Sequence, residues 1–224
     1  MNNELTTVIY FWKIEKRSLG FALLHMALDR SALRRMKNVR FAKMLGAGKG
    51  ETFTPSDADP NRWGCLVVIP ENQLTVLDDS PTIRAWRKRS VSEFRVLLDP
   101  IAATGMWSKQ KPFEPSAPAN FHGQVVAITR ARIKASQTLR FFKSVPPVTA
   151  SLHSSPGLIS TIGIGEAPIG LQGTFSLWES MQAIKDFAYK GAAHQKAIAQ
   201  TSEFDWYAEE LFARFAVREM RGTI

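Results

Sequence analysis

A single cysteine, Cys65, excludes an internal disulfide framework and suits a reducing, cytoplasmic compartment. Its apolar setting, "WGCLVVIP", predicts a buried strand thiol and not a reactive one. No run approaches the ~18 uninterrupted apolar residues of a spanning helix, so any membrane contact is expected to be peripheral. The opening "MNNELTTVIYFWKIEK" lacks the basic leader of a signal peptide and reads as a first strand. Histidines number four, with no H-x-x-x-H spacing for zinc. A nucleophile elbow with Ser-His-Asp order is missing, and "GAGKGE" lacks the Ser/Thr that a phosphate-binding loop carries after its lysine. Acidic residues are scattered except for "DDS" (78–80) and "AEEL" (208–211), both of which read as helix surface.

What is present is a core. The apolar fraction is 45%, with 14 phenylalanines and 6 tryptophans in 224 residues, enough for one compact unit or two fused modules. The net charge of +9 is uneven: residues 1–112 carry 18 basic and 11 acidic groups, residues 113–224 carry 11 and 9. "RSALRRMK" and "RAWRKR" supply most of the excess, which reads either as solvated helix faces or as a positive surface suited to anionic lipid or an acidic protein. Zinc-finger spacings, RNP-type motifs and basic-aromatic repeats are all missing, and nucleic-acid binding is not expected.

Hydrophobic periodicity predicts strands at 6–14, 39–50, 62–70 and 93–101. It predicts helices at 18–36, capped by Ser18 with Leu23, Ala27 and Leu28 on its apolar face, and at 72–91. After an aperiodic stretch with three prolines (102–122), the order repeats. Strands are expected at 124–133, 157–168, 171–178 and 211–217, helical pieces at 134–155 broken at Pro146, and a long helical region at 180–211. "FAKMLGAGKG" and "LISTIGIGEA" both close an apolar strand on Gly-x-Gly, at Gly46/Gly48 and Gly163/Gly165. "LVVIPENQ" and "FSLWESMQ" both pass from strand to helix through a polar cap. This predicts an α+β chain of two tandem ferredoxin-like (β-α-β-β-α-β) units, residues 1–101 and 123–224 with a linker at 102–122, whose sheets pack as an α+β barrel with helices outside. The paired glycines are expected at turns, for positive φ or close packing.

Of the histidines, His25, His122 and His153 read as structural or surface residues. His194, in "FAYKGAAHQKAI", lies in the second counterpart of the 72–91 helix, which has no histidine and is shorter. A core or capping role and a ligand role are both open for it. As a ligand, a lone imidazole without carboxylate or thiolate companions makes a poor zinc site, but it is enough for haem, whose macrocycle supplies four ligands. Phe187, Ile198, Phe175 and Leu177 are candidates to line the slot, and Gln172, Ser176 and Arg214 are the polar candidates facing it.

The stretches "LLDPIAATGMWSKQKPF", "VAITRARIKASQTLRFFKSVPPV", "LISTIGIGEAPIGLQGTFSLWES" and "FAYKGAAHQKAI…WYAEELFARF" resemble the spheroidene monooxygenase family of carotenoid biosynthesis, over about residues 6–217. The resemblance implies a haem b protein that inserts oxygen from O2 into an acyclic carotenoid, beside the end methoxy group, with a ferredoxin-type electron donor. It implies His194 as the iron's axial ligand, and it is similar to dimeric α+β-barrel haem proteins, which keeps a homodimer open. It does not transfer distal residues. The expectation is therefore a haem-dependent monooxygenase of a lipophilic substrate. The alternatives are a haem enzyme with peroxide-dependent or aldoxime-dehydratase-like lyase chemistry, a cofactor-free monooxygenase, and a non-catalytic module that binds hydrophobic ligands.

Overall fold

The computed structural model describes residues 4–52, 54–166, 173–190 and 206–223. The first half contributes β1 (Leu5–Ile14), α1 (Leu19–Arg35), β2 (Phe41–Gly48), β3 (Ala58–Pro70), α2 (Leu74–Asp78), α3 (Pro81–Arg89) and β4 (Ser90–Gly105). The second contributes β5 (Val125–Ile133), α4 (Thr138–His153), β6 (Leu158–Gly165), β7 (Gly173–Trp178), α5 (Met181–Lys190) and β8 (Tyr207–Gly222). Each half has the ferredoxin-like strand order, β4-β1-β3-β2 and β8-β5-β7-β6. The pairs β2–β6 and β4–β8 close the two sheets into one eight-stranded antiparallel barrel, the β2–β6 seam through the three pairs Gly46–Gly165, Ala47–Ile164 and Gly48–Gly163. The expected α+β barrel of tandem ferredoxin-like units is what forms.

The two Gly-x-Gly signatures meet at the seam. Gly46 pairs with Gly165 and Gly48 with Gly163, within strands and without positive φ, so they are not the expected turns. Close packing is the reason for Gly48, where a Cβ would sit 2.1 Å from the Asp57 carbonyl oxygen. Gly50, at φ +70°, lies against Gly163 so closely that its own Cβ would come within 2.8 Å of the Gly163 Cα.

Alternation along each strand divides the core into an interior and two outer layers. Ile9, Phe11, Val96, Ile128, Phe175 and Phe215 are among the side chains filling the interior, with Phe11 edge-on to Phe175 at 5.2 Å. One outer layer lies between the first sheet and α1–α3, the other between the second sheet and α4–α5. β4 continues to Gly105, and the segment after it carries Trp107 and Phe113 into the barrel, where Phe113 packs edge-on to Phe215 at 4.9 Å.

Several local expectations change. The 72–91 helix is two helices, because Ser80 caps Ile83 N and Pro81 takes the first position of α3. α4 runs unbroken through Pro146 and Pro147, both of which are exposed. Residues 207–211 are strand and not helix, since Glu209 and Leu211 are buried on the barrel side. α1 buries Ala22, Met26, Asp29 and Leu33, leaving Leu23, Ala27 and Leu28 outside, and Ser18 makes no side-chain cap bond. Cys65 is fully buried on β3 as expected, and burial pushes its thiol pKa up.

Candidate functional site

The two halves can be overlaid by strand register. In the first, Ile9 pairs with Leu66 and Val96; in the second, Ile128 pairs with Phe175 and Ala213, all facing the interior. One residue earlier on β1 and β5 the side chains face the outer layers. There Val8 pairs with Val67 and Leu97, and Ala127 pairs with Ser176 and Arg214. Three buried apolar side chains in the first half thus correspond to a small, a hydroxyl and a cationic one in the second. The substitution continues along the strands: the paired Tyr10 and Cys65 correspond to Thr129 and Thr174, and Trp12 to Ala131.

The consequence is a difference in filling. The first-half layer is solid with stacked rings, Tyr10 on Trp12 at 5.5 Å and Trp12 on Trp86 at 5.3 Å. Tyr10 also donates to Asp78, which Arg95 holds through both carboxylate oxygens at 3.1 and 2.9 Å, so within "DDS" Asp78 is part of the packing while Asp79 is exposed. Burial, with Asp78 beside it, pushes the Tyr10 hydroxyl far above its ordinary value. In the second half, Ala127, Thr129, Thr174 and Arg214 are only partly covered by described residues. Ile184, Met181 and Trp178 bound this floor, and Phe187 tilts over Trp178 at 5.5 Å.

Ser176, Arg214 and Phe187 therefore share this layer. Phe175 and Leu177 do not: period-two alternation turns them to the barrel interior, on the other side of β7. Gln172, His194 and Ile198 lie outside the described residues. Ser176 is already engaged, donating to Ala127 O at 3.3 Å and accepting from Trp178 Nε1 at 2.9 Å. Arg214 has one described partner, the Met181 sulfur at 3.9 Å, and no carboxylate among the described residues. A half-buried guanidinium above an apolar layer is an uncommitted anion partner. Ala127, Thr129 and Thr174 were missed in the sequence, although the matched "LVVIPENQ" and "FSLWESMQ" already set Val67 against Ser176.

A second polar cluster sits inside the barrel at the seam end. Glu166 accepts from Lys43 Nζ, from Trp107 Nε1 at 2.7 Å and from Arg130 Nη2 at 2.8 Å. Arg130 also binds Glu209, which accepts from the backbone N–H groups of Ser108 and Lys109 at 3.0 and 2.7 Å. Burial pushes the Glu166 carboxyl up, but Lys43, Trp107 and Arg130 outweigh it and hold the pKa below the usual range. Burial lowers that of Lys43 despite Glu166. The void beside these residues is about 10 Å³, room for one water at most, which makes the cluster a plug and not a substrate site. A larger cleft of about 830 Å³ is lined by residues including Leu5, Arg40, Pro70 and Glu114, and by none of the described candidate residues.

For haem, the described residues fit as a bed: small side chains on a flat floor, aromatic and aliphatic walls, and a cation for carboxylates. They supply no iron ligand, since His122 and His153 are exposed and His25 is bound to Asp29. No cluster of His, Cys, Asp and Glu among them is suited to hold a metal ion.

The fold defines a single-chain α+β barrel made from two ferredoxin-like halves. The structure superimposes on an aldoxime dehydratase with a TM-score of 0.60, 8% identity and coverage of 95% of this chain and 81% of that one. No family model matches the chain. Full-length relatives do: it is 32% identical to the spheroidene monooxygenase of Cereibacter sphaeroides, over 100% of this chain and 68% of the relative. It is 33% identical to that of Rhodobacter capsulatus, over 92% and 87%. The chain belongs to the spheroidene monooxygenase family, and its activity is that of a monooxygenase.

Proposed function

We propose that the chain is a haem-dependent monooxygenase that hydroxylates a lipophilic, carotenoid-like substrate, with haem b seated in the second-half outer layer and His194 as its axial ligand. The observation that carries the reading is the one-sided change of side-chain type in the duplicated barrel. Val8, Val67 and Leu97 give the first layer an apolar lining, and Ala127, Ser176 and Arg214 stand at the matching positions of the second. The names of the 32–34% identical relatives support oxygenation of a carotenoid.

When bound, haem iron supplies the activation of O2. The overall balance is one C–H and O2, with two electrons and two protons, to one C–OH and water, so an electron donor of the ferredoxin type is required. This chain's residues make the bed. Arg214 would neutralise an anionic edge of the cofactor, and Ser176 fixes Trp178 as a wall. Phe187 and Ile184 exclude water from an apolar substrate. His194 stands four positions in sequence beyond Lys190, the last described residue of α5.

The test is an absorption spectrum and pyridine haemochrome assay on the full chain expressed with ample haem supply. A Soret band near one haem per chain is expected, and His194→Ala should remove it without altering circular dichroism. A chain that stays colourless after haemin reconstitution, or a His194→Ala variant with full haem, overturns the reading.

A further inference from the structure

Helix α1 presents an outer face that the barrel does not use. Leu23, Leu24 and Leu28 are 48%, 57% and 54% exposed, an unusual amount of leucine for one solvent-facing stripe. With Gly20 and Ala27 they cover the first turns of that face, and Arg30, Arg34 and Arg35 cover its end. From Lys16 to Arg40 there are seven lysines and arginines, all exposed. The one acid in that span, Asp29, is 6% exposed and is taken by Trp86 Nε1 at 2.8 Å and His25 Nδ1 at 3.1 Å. The surface is therefore apolar and cationic, with a single exposed carboxylate at its N-terminal edge, Glu15, paired with Arg17. α3, packed beside α1, adds Arg89, whose guanidinium lies over the Phe21 ring at 4.0 Å.

We propose that this face of α1 docks on an anionic lipid bilayer. Leucines at the N-terminal turns enter the headgroup–acyl boundary while the arginines meet lipid phosphates, the arrangement of a helix lying in the interface plane. It lies on the membrane and does not cross it, since no described helix is long and apolar enough to span. A second copy of the chain is a poorer occupant, because a two-fold contact through this face would set the cations of one copy against those of the other. The candidate site lies under the helices of the other half, so docking here orients the molecule on the bilayer and does not itself deliver substrate. The inference rests on exposure and charge alone, independently of the haem reading.

The experiment is flotation of the full chain with vesicles of phosphatidylcholine alone or mixed with phosphatidylglycerol. Binding is expected to the mixed vesicles, weak binding to phosphatidylcholine, and weakening as salt rises from about 0.05 to 0.5 M. Replacing Leu23, Leu24 and Leu28 together by Gln should cut partitioning about ten-fold or more, with the melting temperature unchanged because none of the three is in the core. Replacing Arg30, Arg34 and Arg35 by Gln should remove the preference for phosphatidylglycerol. Equal binding of the leucine variant overturns the proposal. So does a wild type that ignores vesicles but self-associates, or binds a soluble acidic protein, through the same leucines. Haem content can be read on the same samples, so failure of docking and failure of the haem reading are separable.

Discussion

Replacing Glu166 by Gln should be among the most damaging conservative changes in the molecule, while replacing its partner Lys43 by Met should be nearly silent. Three donors converge on Glu166: Lys43 Nζ, Trp107 Nε1 and Arg130 Nη2. An amide offers one oxygen and one NH2. Either flip sets NH2 against the Lys43 ammonium or against both the indole and the guanidinium, and Lys43, 1% exposed, loses its counter-charge. Breaking a buried pair on one side costs about 3–5 kcal/mol, which at ~2–4 °C per kcal/mol is a drop of ~6–20 °C in melting temperature. Lys43→Met removes a cation whose burial is already its largest perturbation, and Glu166 keeps Arg130 and Trp107, so the cost should stay within about 1 kcal/mol. In the double variant the amide NH2 meets a thioether and its oxygen meets the indole and guanidinium, so the penalties should not add, with a coupling of ~2 kcal/mol or more. Urea unfolding of the four proteins at neutral pH, with unchanged m values, measures all of this. A Glu166→Gln cost below ~1 kcal/mol, or a Lys43→Met cost equal to it, would refute the reasoning about which charge holds the cluster.

The same cluster sets an acid limit: Glu166 and Glu209 both have lowered pKa values, so their contribution is complete above the ordinary carboxylate range and is lost as pH falls through the lowered folded values. Stability measured from pH 6 down to about 3 should fall more steeply in wild type than in Glu166→Gln. Gly48→Ala should cost about 3 kcal/mol in urea unfolding, because its Cβ has only the Asp57 carbonyl oxygen, 2.1 Å away, to move against. An unchanged stability for Gly48→Ala would mean that the seam yields more easily than its backbone contacts imply.

The fold was legible because duplication repeats its own evidence: the order of elements and the Gly-x-Gly pairs appear twice, and misreading one copy is corrected by the other. Local packing was less so. α1 has apolar residues on two arcs, and the arc of Leu23 and Leu28 looks as good in sequence as that of Ala22, Met26 and Leu33, which faces the sheet. "YAEEL" has the propensity of a helix, but Glu209 is drawn onto a strand by Arg130, a partner 79 residues away. For the candidate site, Ser176 and Arg214 share one layer, whereas Phe175 and Leu177, read beside them in the sequence, turn to the barrel interior. The alternation that separates them was available in the sequence; what was missing was which face of β7 the helices cover.

The asymmetry between the two layers supplies its own test, since the first half is a natural template for a filled version of the second. Writing Val8, Val67 and Leu97 into their counterparts gives the triple variant Ala127→Val, Ser176→Val and Arg214→Leu. Each new side chain already packs against a sheet of this curvature in the first half, where all three are at most 5% exposed. The barrel should therefore form, with a melting temperature equal to wild type or higher, because a half-buried cation and a committed hydroxyl are exchanged for apolar contact. Trp178 loses the acceptor for its indole N–H, which costs about 1–3 kcal/mol against that gain. If the second layer is the cofactor bed, the variant should fold and fail to take up haem from haemin, by absence of a Soret band on titration. Loss of the fold would be answered by Arg214→Leu alone, which leaves the Ser176–Trp178 bond intact and should still weaken haem uptake about ten-fold through the lost charged contact. Full haem occupancy in the folded triple variant would show that the second layer is not where the cofactor sits, and would turn attention away from the second-half sheet altogether.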